Sequence, residues 1–189
     1  MDAFSPSRAG TAPRESATDG LLTIYRPADA PDTAVFRDAM AQLAGGVAVV
    51  AVLDHGAPRG LLVSSLTSLS IEPPRMLFCV RKAAASHAAL LRADRCSLAI
   101  LGQDDVEEAR RFSSSRRATE RFSRNAWRLQ PGEPPQYADA LVNLTGWIGN
   151  RMDVGSHSIF VLDVEEIYRR DGDPLVYFGR SYRTLSTPI

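Results

Sequence analysis

Little in this 189-residue sequence points to sulfur or metal chemistry. There are two cysteines, Cys79 and Cys96, each inside an apolar run, which suits buried free thiols and gives no disulfide framework. The three histidines, His55, His87 and His157, lie far apart. No Cys-x-x-Cys or His-Glu-x-x-His spacing accompanies them, so no metal site is expected. A Gly-x-Gly-x-x-Gly turn is missing, which argues against a Rossmann dinucleotide domain. Net charge is missing as well: 22 Lys and Arg balance 22 Asp and Glu. A global pull toward nucleic acid or an anionic membrane is therefore not expected, and a near-neutral surface makes self-association easier. The N-terminus has no basic segment followed by an apolar core, and no apolar run reaches membrane-spanning length. A cytoplasmic protein without a signal peptide is the expectation.

What remains is a chain of suitable length for one domain, 44% hydrophobic. Residues 1–30 are rich in Ser, Ala, Thr, Pro and Asp, and are expected to form a disordered tail or arm; Leu21–Tyr25 within it could make a short strand. A single domain is expected over residues 31–189. Asp32 or Thr33 can cap a helix running to Ala44, with Val35, Phe36, Ala39, Met40 and Leu43 on one core-packing face. Gly45-Gly46 would end it.

The Val-rich run from Val47 to Leu53 suits a strand covered on both faces. After a turn at Asp54–Pro58, one strand from Arg59 to Ser70 is expected as its hairpin partner. A Glu72-Pro73-Pro74 corner leads to a further strand, Arg75–Val80. Ser86 is placed to cap a helix over His87–Ala93 with Ala88, Leu90 and Leu91 inward. Later strands read as Ser97–Leu101, Leu141–Asn150, Ser158–Tyr168 and Leu175–Phe178, with a helix from Asp104 to Phe112. Residues 113–135 read as a long loop holding Arg116, Arg117, Arg121, Arg124 and Arg128, either a solvated face or an edge for nucleotide phosphates. No nucleic-acid motif accompanies them. Many short strands with Gly and Pro turns and few helices predict a mainly β, closed antiparallel barrel.

The stretch Arg59–Lys82 is the most distinctive. Ser64, Ser65, Thr67, Ser68 and Ser70 crowd hydroxyls beside Gly60, where small residues let a flat or phosphorylated ligand approach the backbone. Gly60, Ser64-Ser65 and Thr67-Ser68-Leu69-Ser70-Ile71-Glu72-Pro73-Pro74 resemble the signature of the flavin reductase-like family. These are the short-chain reductases that supply reduced flavin to two-component monooxygenases. Phe36–Met40, Gly46–Val50, Cys96–Leu101, Arg111-Phe112, Arg121-Phe122, Trp127, Gly155–Ser158 and Pro174–Phe178 fall in the family's order, so the resemblance spans roughly residues 35–185.

The resemblance implies an FMN-binding split β-barrel of antiparallel Greek-key type with flanking helices, working as a homodimer. The implied activity is NAD(P)H:flavin oxidoreductase, binding FMN or FAD, taking electrons from NADH or NADPH, and passing reduced flavin to a monooxygenase. A non-catalytic flavin- or haem-binding barrel, or a flavin-retaining oxidase or monooxygenase, shares the same pattern. By the resemblance, Pro58, Arg59, Gly60, Leu61, Leu62, Ser64 and Ser65 border the flavin ring and ribityl chain. Cys79, Val80 and Arg81 form the next flavin-lining segment. Ala85 and Ser86 hold the phosphate, with Arg81 and Lys82 as charge partners. Ser156, His157, Ser158 and Ile159 face the nicotinamide, with His157 as the catalytic candidate. Three positions depart from the family's usual residues: Leu62, Ala99 in place of Asn, and Ser156 in place of the Asp beside the histidine. With no triad or paired carboxylates, the chemistry would fall to the two cofactors, the protein orienting them.

Overall fold

The computed structural model describes residues 30–185. The arm expected over residues 1–30, Leu21–Tyr25 included, lies but for Ala30 outside the described residues. Twelve strands follow one helix: β1 (Gly45–Gly46), β2 (Ala48–Asp54), β3 (Ala57–Val63), β4 (Leu66–Ser70), β5 (Arg75–Arg81), β6 (Arg95–Ile100), β7 (Trp127–Arg128), β8 (Gln136–Tyr137), β9 (Val142–Val154), β10 (His157–Arg169), β11 (Val176–Phe178) and β12 (Ser181–Arg183). The helices are α1 (Thr33–Met40), α2 (His87–Arg92) and α3 (Val106–Ser113).

Seven strands form one antiparallel sheet in the order β3-β2-β6-β9-β10-β5-β4. Its two edge strands, β3 and β4, are separated in sequence by Ser64 and Ser65 alone. Three extended residues span at most about 10 Å. The first and last strands of the sheet must therefore meet there, and the sheet rolls into a barrel that stays open beyond the junction. The single strand expected over Arg59–Ser70 is thus two strands on opposite edges. Ser64-Ser65 is where the chain leaves β2 and crosses to β5: the Cys79 N–H donates to the Ser65 carbonyl at 3.0 Å, and Ser65 Oγ donates to the Cys79 carbonyl at 3.0 Å.

β2 is buried on both faces, as its Val-rich run predicts. Ala48, Val50 and Val52 point into the barrel, against Phe78, Leu98, Leu144, Phe160 and Leu162. Val47, Val49 and Ala51 point outward into a second core with Leu101, Ala109, Phe112, Trp127, Tyr137 and Leu175. α3 and the 114–140 segment cover that outer face. Phe112, Trp127 and Tyr137 stack in series at centroid distances of 5.2 and 5.1 Å.

Beneath the stack lies a buried polar network. Glu108, fully buried, accepts from Trp127 Nε1 at 2.8 Å and from Arg111 Nη1 at 2.5 Å. The Tyr137 hydroxyl donates to Asp105 at 2.8 Å and accepts from Arg124 Nη1 at 2.8 Å. Burial pushes the Asp105 carboxyl above its ordinary range, and burial together with the bond to Asp105 raises the Tyr137 phenol.

Three local readings need correction. α1 stops at Met40, capped by Asp32 as expected, and Gly45-Gly46 forms β1 rather than a helix end. α1 buries no residue within this chain: Val35, Phe36, Met40 and Leu43 are all exposed, so its apolar face is not packed on the core. α2 starts at His87 as expected, but its inward residues are His87, Ala89 and Leu90, a face set one residue earlier than expected. β12 was absent from the sequence reading. Ser181–Arg183 has no apolar alternation to announce it, and it forms only by pairing with β11.

Candidate functional site

An open cleft of about 730 Å³ lies at the β3–β4 junction. Leu61, Leu62, Ser64 and Ser65 enter it from the end of β3, and Cys79, Val80 and Arg81 from the end of β5. Ala83–Ser86 forms one rim and His157 another. The β10–β5 register sets His157 opposite Arg81, which brings the two ends together. Of the expected site residues, these ten of the fold's three segments converge on one space: Leu61, Leu62, Ser64, Ser65, Cys79, Val80, Arg81, Ala85, Ser86 and His157.

The others lie elsewhere. Pro58, Arg59 and Gly60 line a separate hollow on the far side of Ser86. Lys82 pairs with Asp153 at 3.1 Å, outside the cleft. Ser158 is fully buried behind the rim, donating to Asp153 at 2.5 Å. Its one proton being used there, Ser158 accepts from His87 Nε2 at 2.8 Å, which fixes the His87 tautomer. The chain Lys82–Asp153–Ser158–His87 thus ties the β9–β10 turn to the start of α2. Ser156 and Ile159 do not line the cleft, but Ser156 Oγ sits 2.9 Å from His157 Nδ1. Where an Asp is usual, a hydroxyl supplies the ring's orienting partner. Ala99 is buried in the outer core opposite Val49, so its departure from Asn removes nothing from the cleft.

Ser86 does not cap α2. Its Oγ donates to the Gly60 carbonyl at 2.9 Å, and the His87 N–H is spent on the Ala84 carbonyl at 2.9 Å. With six residues, α2 offers little dipole to an anion. The cations of the site come from side chains. Among the described residues, Arg81, Arg121 and Arg180 line the cleft and no Asp or Glu does, though Arg180 is paired with Asp38 just outside it. A chain of zero net charge has therefore concentrated positive charge at one opening.

Arg121 was only one of five arginines in an expected loop. Its guanidinium donates to the carbonyls of Arg111 (3.2 Å), Phe112 (3.3 Å), Ser114 (2.9 Å) and Gly60 (2.8 Å). It lies over the Phe112 ring. Burial lowers its pKa from the usual guanidinium value. Three of those carbonyls belong to the end of α3, where backbone acceptors lack helical partners. Arg117, by contrast, is spent on Glu107 and Glu120. Arg180 and Tyr182, on the turn after β11 and on β12, were missed because β12 was, whereas Tyr177 lies on the expected strand Leu175–Phe178 but was not singled out as a site residue.

Gly60 packs tightly between β2 and the aromatic stack. A Cβ there would lie 2.9 Å from the Val50 carbonyl, 3.0 Å from the Phe122 ring and 3.1 Å from the Phe112 ring. Cys79 is not an activated nucleophile: burial pushes its thiol up, outweighing the bond to Ser65. Cys96 is pushed up to about 12 by burial. No cluster of metal-ligating side chains occurs among the described residues.

A rolled antiparallel sheet with arginines at the cleft along its split is the architecture of a split barrel. Residues 40–186 match the flavin reductase like domain family, and the chain belongs to that family. It is 34% identical over 155 residues, 82% of this chain and 76% of the relative, to an FMN reductase (NADH) RutF from Methylorubrum extorquens. It is 34% identical over 148 residues, 78% of each chain, to the reductase component of a 4-nitrophenol 4-monooxygenase/4-nitrocatechol 2-monooxygenase from Rhodococcus opacus. The solved flavin reductase domain protein from Arthrobacter sp. FB24 superposes with a TM-score of 0.76 at 30% identity, covering 82% of this chain and 96% of that one. The split-barrel expectation holds.

Proposed function

We propose that the cleft binds a flavin nucleotide and a nicotinamide nucleotide together, and that the chain passes reduced flavin to a monooxygenase. The observation that carries this is the cleft's lining among the described residues: Arg81 and Arg121, with Arg180 paired to Asp38 at the edge, no carboxylate in the lining itself, and hydroxyl or alanine side chains on the rims. When bound, the flavin and the nicotinamide supply the hydride acceptor and donor, so the protein need only place them.

In this reading the ring lies between Leu61–Leu62 and the β5 end. Ser64 and Ser65 border its polar edge, and the backbone of Ala83–Ala85, shielded only by methyl groups, faces the phosphate. Arg81 and Arg121 supply positive potential there. Ser86 acts indirectly, by holding Gly60, because its hydroxyl proton is already committed. Tyr177 and Tyr182 narrow the opening against water. The activity follows the family, an NAD(P)H-dependent flavin reductase. Transfer to a monooxygenase is in keeping with relatives named as reductase components.

NAD(P)H oxidation in the presence of FMN, FAD or riboflavin tests this directly. Turnover with free flavin is expected, and a colourless protein inert to both nicotinamides would remove the reading. A yellow protein that turns over without added flavin would favour the flavin-retaining alternative.

His157 lines the cleft together with the Ala83–Ser86 segment, and this reading sets the nicotinamide beside it. His157→Ala is expected to raise the KM for NADH about tenfold, roughly 1.4 kcal/mol, with a smaller loss in kcat and little change in flavin affinity. Stopped-flow reduction across an NADH series separates the two effects. An equal loss in flavin affinity would move the imidazole to the flavin side.

The working form we propose is a homodimer. The exposed apolar face of α1 and the groove between Met40, Leu43, Leu66 and Leu77 adjoin the cleft through Ser64, Ser65 and Tyr177. An apolar patch of this kind on a near-neutral protein favours burial against a second copy. Light scattering is expected to give the mass of two 20.6 kDa chains, and Phe36→Glu to give one.

A further inference from the structure

We propose that Ser158 is a positioning residue for hydride transfer: from behind the cleft it fixes the His157 turn against the Ala83–Ser86 rim, through Asp153 on one side and His87 on the other. This rests on the reading of the cleft as a site for both nucleotides. Hydride transfer needs the reacting atoms about 3–3.5 Å apart, and a misplacement of about 1 Å can cost roughly a hundredfold in rate. The spacing of the two rims therefore matters more to the reaction than to the binding of either nucleotide alone.

The sheet does not set that spacing by itself. The β5–β10 ladder ends at the pair Arg81 and His157, just where each rim begins. Past it, one backbone bond continues, from the Lys82 N–H to the Ser156 carbonyl at 3.0 Å. Side chains make the remaining ties.

Ser158 is where those ties meet. It alternates along β10 with Phe160 and Leu162, which face the barrel interior, and it is fully buried. A hydroxyl on an apolar face is costly unless it is fully bonded. Ser158 donates at 2.5 Å to Asp153, its direct partner across the β9–β10 ladder, and accepts from His87 Nε2 at 2.8 Å. His87 is buried with its ring edge on Phe160, at 6.1 Å between centroids. It follows Ser86 directly, and Ser86 is itself bonded to Gly60. Each end of the tie is thus one peptide bond from a rim residue: Ser158 from His157, and His87 from Ser86. The bonds from Ser158 and Lys82 hold the Asp153 carboxyl below its usual range. An ionised Asp153 can only accept, so the hydroxyl points one way and the imidazole must donate. An apolar side chain would fill the same place; joining the two rims takes the hydroxyl.

Ser158→Ala, Ser158→Thr and Asp153→Ala test this. Asp153 is largely exposed, so its alanine variant leaves the barrel intact should Ser158→Ala fail to fold. Stopped-flow reduction at saturating FMN gives the limiting rate and the NADH half-saturation, and calorimetry gives FMN affinity. Ser158→Ala is expected to lower the limiting rate at least about tenfold, with FMN affinity and NADH half-saturation each moving less than about threefold. Ser158→Thr is expected to restore the rate, and Asp153→Ala to show a smaller loss of the same kind. NMR of isotope-labelled histidine in the unliganded protein is expected to show a slowly exchanging Nε2–H on His87 beside a bare Nδ1, exchanging fast in Ser158→Ala. An unchanged limiting rate in both alanine variants would overturn the proposal and leave the cleft reading standing. A proportional fall in rate, FMN affinity and Tm that threonine does not rescue would make Ser158 a purely structural residue and overturn it too, as would a wild-type His87 protonated on Nδ1 alone. Wild-type protein that reduces no flavin with either nicotinamide would instead remove the cleft reading, and this proposal with it.

Discussion

Glu108→Ala is expected to cost about 3–5 kcal/mol of stability, because it strands partly buried cations without their carboxylate. In a domain of this size that corresponds to a fall of roughly 10 °C in Tm. Glu108 is fully buried and holds Arg111 and the Trp127 indole at once. Its removal leaves the indole N–H unsatisfied and frees α3 to shift under the aromatic stack. Glu108→Gln retains an acceptor for Trp127 and loses the charge, so its effect should fall between. Thermal unfolding of the three proteins decides the matter. A loss below about 1 kcal/mol for the alanine variant would show that the outer core stands by apolar packing alone.

Arg121→Ala is expected to damage stability and binding together. Four carbonyls lose a charged donor, three of them at the end of α3. Hydrogen bonds to charged groups contribute about 1.5–3 kcal/mol each before overlap, so a net loss of about 3 kcal/mol is a fair expectation. Flavin affinity should fall at least tenfold, about 1.4 kcal/mol, since this side chain lines the cleft. Arg121→Lys keeps the charge but not the planar fork, and should recover binding only in part. Urea midpoints give the first effect and flavin fluorescence quenching the second. An alanine variant of normal stability with weakened binding would make Arg121 a direct ligand contact rather than a brace.

Much of this arrangement was legible in the residues. The uninterrupted Val47–Leu53 run gave a doubly covered strand because only a strand with a core on each side tolerates apolar residues at every position. The family pattern located the segments around Ser64, Cys79, Ala85 and His157, and these do converge. What the sequence hid was three-dimensional in origin. Ser64-Ser65 reads as a continuation of a strand, since a crossover between sheet edges leaves no Gly or Pro mark. Arg121 looks like its basic neighbours until the carbonyls at the end of α3 come to meet it. Arg59 lies two residues from Leu61 on the same strand, yet the two line different cavities. The apolar stripe of α1 shows periodicity without showing what it faces.

The hydroxyl-rich strand β4 matters before the protein is finished. Its partner β5 pairs on the other side with β10, roughly eighty residues later, so that contact forms at a high cost in loop closure. As the chain leaves the ribosome, the β4–β5 hairpin has nothing to lean on until most of the domain has been made. Thr67, Ser68 and Ser70 keep that waiting edge well hydrated, where a Val- or Ile-rich edge would recruit other nascent chains. Replacing these hydroxyls with valine would therefore show first as inclusion bodies and a poor soluble yield, ahead of any change in the mature enzyme.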